Sequence, residues 1–127
     1  MQTITTQGQV VAVVDDDQSF LKGLKRLLTA SHLTPELFNS GEELLKRNEA
    51  GDIGCIVLDI HLKGMSGIET RRRLSAKGSK IPVIFMTADD EPAIRKEAME
   101  AGCVAFLKKP FCGNVLIDTI RQTITVC

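Results

Sequence analysis

The sequence carries no excess of either charge: Lys plus Arg number 16, as do Asp plus Glu, and the formal net charge is zero. A balanced chain lacks the broad positive field that holds nucleic acid or an anionic membrane surface, so neither is expected as a direct partner. Long apolar runs are missing too. A bilayer-spanning helix needs about 20 consecutive apolar residues, and no stretch approaches that length. Met1 to Gln9 is polar, without the basic start or the apolar centre of a signal peptide. A cytoplasmic location is the resulting expectation. Cysteine is sparse and unpatterned: Cys55, Cys103, Cys112 and Cys127 form no C-x-x-C pair, and His32 and His61 complete no zinc pattern. Reduced thiols, some of them packed in the core, are expected. Repeats, low-complexity tracts and Pro/Gly-rich linkers are also absent.

What is present fits one domain. The chain has 127 residues, of which 43% are hydrophobic and 25% charged, the balance of a globular fold with a core of its own. Residues 1–8 read as a flexible tail and residues 9–127 as the folded domain. Apolar runs of strand length alternate with amphipathic segments of helix length. Val10 to Val14 is a continuous, largely β-branched run, the pattern of a strand buried on both faces of a parallel sheet. Asp15, Asp16 and Asp17 end it. Phe20, Leu21, Leu24, Leu27 and Leu28 then recur at helical spacing. Thr34 to Phe38 is a weaker strand, and Ser40 with Glu43 forms a capping-box pattern for the next helix.

The third strand is Cys55 to Leu58, ending at Asp59. Ser66 and Glu69 offer a second capping box, for a helix to about Ala76 whose Arg71 to Arg73 run reads as a solvated face. Ile81 to Met86 is the fourth strand, ending at Thr87 and Ala88. Asp90 is placed to cap the following helix, with Pro92 in its first turn and Gly102 at its end. Val104 to Leu107 is a short fifth strand, and Leu116, Ile117, Ile120 and Ile124 mark the last helix. Five βα units predict a parallel α/β sheet covered by helices on both faces.

Polar clusters fall at the carboxyl ends of four strands: Asp15 with Asp16, Asp59, Thr87 and Lys109. In open α/β sheets that edge is where ligands bind. With strand order 2-1-3-4-5, the first and third strands are neighbours, and the acidic pair faces Asp59. Three carboxylates at close quarters repel, and a bound dication relieves the repulsion. Hard oxygen donors without a thiolate or imidazole cluster favour Mg²⁺ over zinc. Phosphoryl transfer is mostly positioning plus electrostatic stabilisation, and a metal, an ammonium and a hydroxyl together supply both.

The runs Val13-Val14-Asp15-Asp16-Asp17, Val57-Leu58-Asp59 followed by Met65-Ser66-Gly67, Ile81 to Ala88, Ala101-Gly102 and Phe106 to Phe111, in this order and each tied to a strand, resemble the two-component response-regulator receiver family over about residues 9 to 125. The likeness extends to receivers found ahead of LuxR-type helix-turn-helix output domains. It implies a five-stranded flavodoxin-like (βα)5 fold and a signalling switch rather than a metabolic enzyme. Asp59 then corresponds to the phosphoacceptor. Asp16 and Asp59 correspond to direct Mg²⁺ ligands, Asp15 to a ligand through water, and the main-chain carbonyl of His61 to a further one. Lys109 and the backbone of Ala88 correspond to phosphoryl contacts, Thr87 and Phe106 to the switch pair, and Lys109-Pro110 to a cis peptide.

A sensor histidine kinase or phosphotransfer protein is the implied partner. A homodimer through the fourth helix, fifth strand and fifth helix is the implied consequence, with Ile94, Met99, Val104 and Val115 as candidates for partial exposure there. The chain departs from many relatives at Lys63, where they carry proline, and His61 and Asp89 flank the site at positions that vary. Two other activities fit less well. A flavodoxin-like phosphate binder needs a Gly-, Ser- or Thr-rich loop where this chain has three aspartates. An aspartyl-phosphate hydrolase needs a carboxylate two residues after the nucleophile, where this chain has His61. A receiver that serves only as a docking surface would not need the complete residue set.

Overall fold

The computed structural model describes residues 10–47 and 52–125; the expected tail over residues 1–8, and Cys127, lie outside them. Five strands and five helices alternate: β1 (Val10–Val14), α1 (Gln18–Ala30), β2 (Thr34–Phe38), α2 (Gly41–Lys46), β3 (Ile53–Asp59), α3 (Gly67–Ala76), β4 (Val83–Thr87), α4 (Pro92–Ala101), β5 (Ala105–Lys108) and α5 (Gly113–Thr125). The strands form one sheet of order β2-β1-β3-β4-β5, and every pairing is parallel. This is the expected flavodoxin-like topology.

Side-chain alternation along β1 divides the core. Val11 and Val13 face one layer with Leu21, Leu24 and Leu28 of α1 and Leu116, Ile117 and Ile120 of α5. Val10, Ala12 and Val14 face the other, with Leu44 of α2, Ile68 and Leu74 of α3 and Ala98 of α4. Both faces of the sheet are therefore covered, which is why β1, β3 and β4 read as continuous apolar runs.

Several boundaries move from their expected places. β3 begins earlier, at Ile53. β4 begins later, at Val83, because Pro82 has no N–H for the ladder, although its carbonyl still accepts from Ile56 N at 3.0 Å. β5 is shifted one residue along. Ser40 and Ser66 cap their helices by accepting from Glu43 N and Glu69 N, both at 3.1 Å. Neither capping box closes as expected: Glu43 reaches Asn39 N, and Glu69 pairs with Arg73. Asp90 does not cap α4. Pro92 opens the helix, which makes Glu91 the N-cap, and Glu91 forms no side-chain capping bond. Asp90 pairs instead with Arg95 at 3.0 Å. The arginine run is only partly solvated, since Arg71 turns inward and donates to Gly102 O at 2.8 Å.

Candidate functional site

The carboxyl ends of β1, β3, β4 and β5 lie side by side, and the loops that leave them carry the site. β1 pairs with β3 up to Val14 and Leu58, so Asp15 and Asp59 emerge as neighbours. Oxygens of Asp15, Asp16 and Asp59 all lie within 4.8 Å of one another. Asp15 and Asp59 are buried, at 1% and 5% exposed, and Asp16 is the most open of the three. Lys109, from the end of β5, spans the cluster: its Nζ is 2.7 Å from Asp15 Oδ2 and 3.5 Å from Asp59 Oδ2. The peptide bond that follows, Lys109–Pro110, is cis.

Backbone donors orient these carboxylates. Asp15 accepts from Asp17 N at 2.9 Å, Asp16 from Lys63 N at 3.0 Å and Asp59 from His61 N at 3.3 Å. The loop after β3 is held close to the site by Gly67, whose N–H donates to Ile60 O at 2.9 Å. A Cβ on Gly67 would run into the carbonyl oxygen of Asp59, so only glycine lets α3 start there.

One ammonium against three carboxylates leaves the site short of positive charge. Burial, followed by repulsion from Asp15, pushes the Asp59 carboxyl up from 3.8 to about 6; Lys109 and the His61 N–H act against the rise. The donor set is entirely hard oxygen, with no thiol or imidazole in the cluster, and it fits a small divalent cation such as Mg²⁺.

Thr87 and Phe106 lie on the β4–β5 side. Thr87 is fully buried at the end of β4. Its hydroxyl accepts from Asp89 N at 3.0 Å and lies 3.2 Å from Asp89 O, so it is engaged with its own loop and not with Asp59. Phe106 is half-buried, and the Arg95 guanidinium sits 4.5 Å from its ring centroid. His61 and Asp89 approach each other across the mouth, Nε2 to Oδ2 at 3.9 Å. Met99, Val104 and Val115 are exposed at 57%, 57% and 47%, and Ile94 is partly buried.

Three residues make contacts that the sequence did not assign to them. Phe20 looked like one more apolar position on α1, yet its ring lies 4.2 Å from Lys109 Nζ. Arg95, an exposed residue of α4, covers the Phe106 ring. Lys63 was visible only as a missing proline; the N–H that proline would lack is the donor to Asp16.

Known proteins resemble this chain over most of its length. The model of the response regulator receiver domain family matches residues 11–121. Over 125 residues the chain is 32% identical to the response regulator protein TmoT of Ectopseudomonas mendocina, covering 97% of this chain and 56% of TmoT. Over 121 residues it is 33% identical to the transcriptional regulatory protein FixJ of Bradyrhizobium diazoefficiens, covering 95% of this chain and 58% of FixJ. The crystal structure of FixJ-N superposes with a TM-score of 0.83 at 32% identity, covering 100% of this chain and 98% of that one. The chain thus spans little more than half the length of these curated relatives. It belongs to the response-regulator receiver domain family of two-component signalling systems.

Proposed function

We propose that Asp59 accepts the phosphoryl group in this receiver, with Mg²⁺ bound beside it. The observation that carries the reading is the cluster of Asp15, Asp16 and Asp59 with Lys109 across it. Asp59 is ionised above about pH 6 and so is a competent nucleophile at neutrality. One of its oxygens forms a bond to phosphorus as the donor's P–N bond breaks, or the P–O bond of a small phosphodonor, and the donor leaves with the electron pair. The donor is a phosphohistidine on a sensor histidine kinase or phosphotransfer protein. Asp15, Asp16, Asp59 and the main-chain carbonyl of His61 would hold the metal. When bound, Mg²⁺ supplies positive charge to the incoming phosphoryl oxygens.

The chain's own residues supply the rest. Lys109 brings its ammonium to a second phosphoryl oxygen, and the Thr87 hydroxyl and the Ala88 backbone serve a third. Thr87 can serve only by leaving Asp89, and Phe106 turns inward as it does. Contacts made only in that state stabilise it, so phosphorylation shifts a pre-existing equilibrium. The responding surface is α4, β5 and α5, where Met99, Val104 and Val115 are exposed, and a homodimer through this face is the expected output.

Acetyl phosphate with Mg²⁺ should place one base-labile phosphoryl group on Asp59, and Asp59→Asn should abolish it. A group still present in that variant, mapped elsewhere, overturns the assignment. Asp16→Ala should remove Mg²⁺ binding; unchanged affinity would move the metal elsewhere. Sedimentation with and without beryllofluoride tests the dimer, and a monomer in both states at high concentration refutes it.

A further inference from the structure

Among the described residues, the ammonium of Lys109 meets two carboxylates and one aromatic ring. Besides Asp15 and Asp59, Nζ lies 4.2 Å from the centroid of the Phe20 ring. Phe20 is held on both sides. Its N–H donates to the Asp17 carboxylate at 3.2 Å, within the first turn of α1. Its ring meets Phe111 edge-on, with centroids 6.1 Å apart and planes at 83°. Phe111 lies two residues beyond Lys109, so the loop that carries the lysine also fixes the ring under it. The Lys109 side chain is 20% exposed, and a cation over an aromatic face is attracted more strongly as water is excluded.

We infer that Phe20 is a positioning residue for Lys109, whose ring retains the ammonium in the site when its carboxylate partners are engaged elsewhere. The inference rests on the reading of Lys109 as a phosphoryl contact. Among the described residues Lys109 pairs with Asp15 and Asp59, and both are assigned to the metal and the phosphoryl group. Once their charge is shared, the two ion pairs weaken and a dication repels the ammonium. A lysine head is strongly hydrated and sits on a flexible stem, so solvent competes for it. The Phe20 ring neither coordinates a metal nor accepts a phosphoryl group, and its negative face survives both events. Leucine would fill similar space but present no such face.

The test compares wild type, Phe20→Leu, Phe20→Tyr, Lys109→Ala and the Phe20→Leu/Lys109→Ala double variant, in single-turnover phosphorylation by acetyl phosphate at saturating Mg²⁺. Phe20→Leu should slow the reaction about three- to tenfold. Phe20→Tyr should restore most of the rate, and Phe20→Leu should cost nothing further once Lys109 is alanine. Equal slowing in both backgrounds, or no rescue by tyrosine, overturns the inference, as does an unaffected Phe20→Leu where Lys109→Ala is slow. A Lys109→Ala variant that reacts at the wild-type rate overturns the underlying reading of Lys109 instead. Proton NMR of the wild-type protein supplies a measurement that needs no variant to fold. The Lys109 Cε protons should show a ring-current upfield shift that persists when Mg²⁺ is added, and loss of that shift with Mg²⁺ sinks the idea.

Discussion

The β1–β3 half of the molecule and the α4–β5 half are built to different standards. β3 has a partner on either side, and six of its seven residues are buried. The helix that leaves β1, α1, is capped by Asp17, which accepts from Ser19 N and Phe20 N, and it buries Leu21, Leu24 and Leu28. Across the sheet, α4 has no side-chain cap and buries only Ala98, and no residue of the edge strand β5 is fully buried. The carboxylate cluster thus stands on the more tightly packed half, while Thr87 and Phe106 face the less tightly packed one. Local opening is favoured where buried apolar contacts are few. A switch needs both properties: fixed geometry where the bond forms, and a marginally held element where the response is read.

The contrast breaks most readily at the core. Leu58→Ala on β3 should cost about 2–5 kcal/mol, and Met99→Ala on α4 less than about 0.5 kcal/mol. Urea titration compares them, and similar losses would erase the distinction. Asp59→Asn should act the other way. In metal-free protein the folded state holds the Asp59 proton up to about pH 6, while the unfolded chain releases it near 3.8. Stability therefore falls as pH rises through that window, and the deficit is fully present above it. Asn has no charge to bury, so the variant should be more stable at pH 7, by about 3 kcal/mol at most. The gain should vanish near pH 3.8, and a gain independent of pH would assign it to packing rather than to ionisation. Caps give a finer comparison. Asp17→Ala should cost about 1 kcal/mol, because it orphans two N–H groups, whereas Glu91→Ala should be close to neutral. Equal costs would mean that α4 is held better than its contacts indicate.

Much of this was legible in the sequence, because periodicity and strand-end chemistry are local. β1 and β2 matched their expected bounds: three aspartates cut off the β-branched run of β1, and the Ser40 cap of the next helix closes the weaker run of β2. The strand order brought Asp15, Asp16 and Asp59 together as expected. Boundaries failed where a backbone detail decided them. Pro82 delayed β4, and Pro92 passed the N-cap from Asp90 to Glu91, whose longer side chain does not fold back on the first turn. What could not be read were the contacts that join distant segments through a face or a main-chain N–H: Phe20 under Lys109, Lys63 N–H on Asp16, and Arg95 over Phe106. Each of these residues has an ordinary local role, which is all that spacing reports.

The smallest expected effect is also the sharpest probe of the less tightly packed half. The Arg95 guanidinium covers the Phe106 ring at 4.5 Å and is held there by Asp90 at 3.0 Å. If Phe106 turns inward on activation, it must leave Arg95, so this contact belongs to the resting state alone. By linkage, removing an interaction made only in the resting state favours the other. An exposed cation–π contact contributes about 0.5–1 kcal/mol, so Arg95→Ala should tighten beryllofluoride binding about two- to fivefold in the presence of Mg²⁺. Arg95→Lys keeps the charge but not the planar stack, and should fall between alanine and wild type. Fluorine NMR titration measures the affinity directly. An unchanged value in Arg95→Ala would mean that the ring's resting position is set by the core beneath it, and that α4 and β5 are less independent of the sheet than their exposure implies.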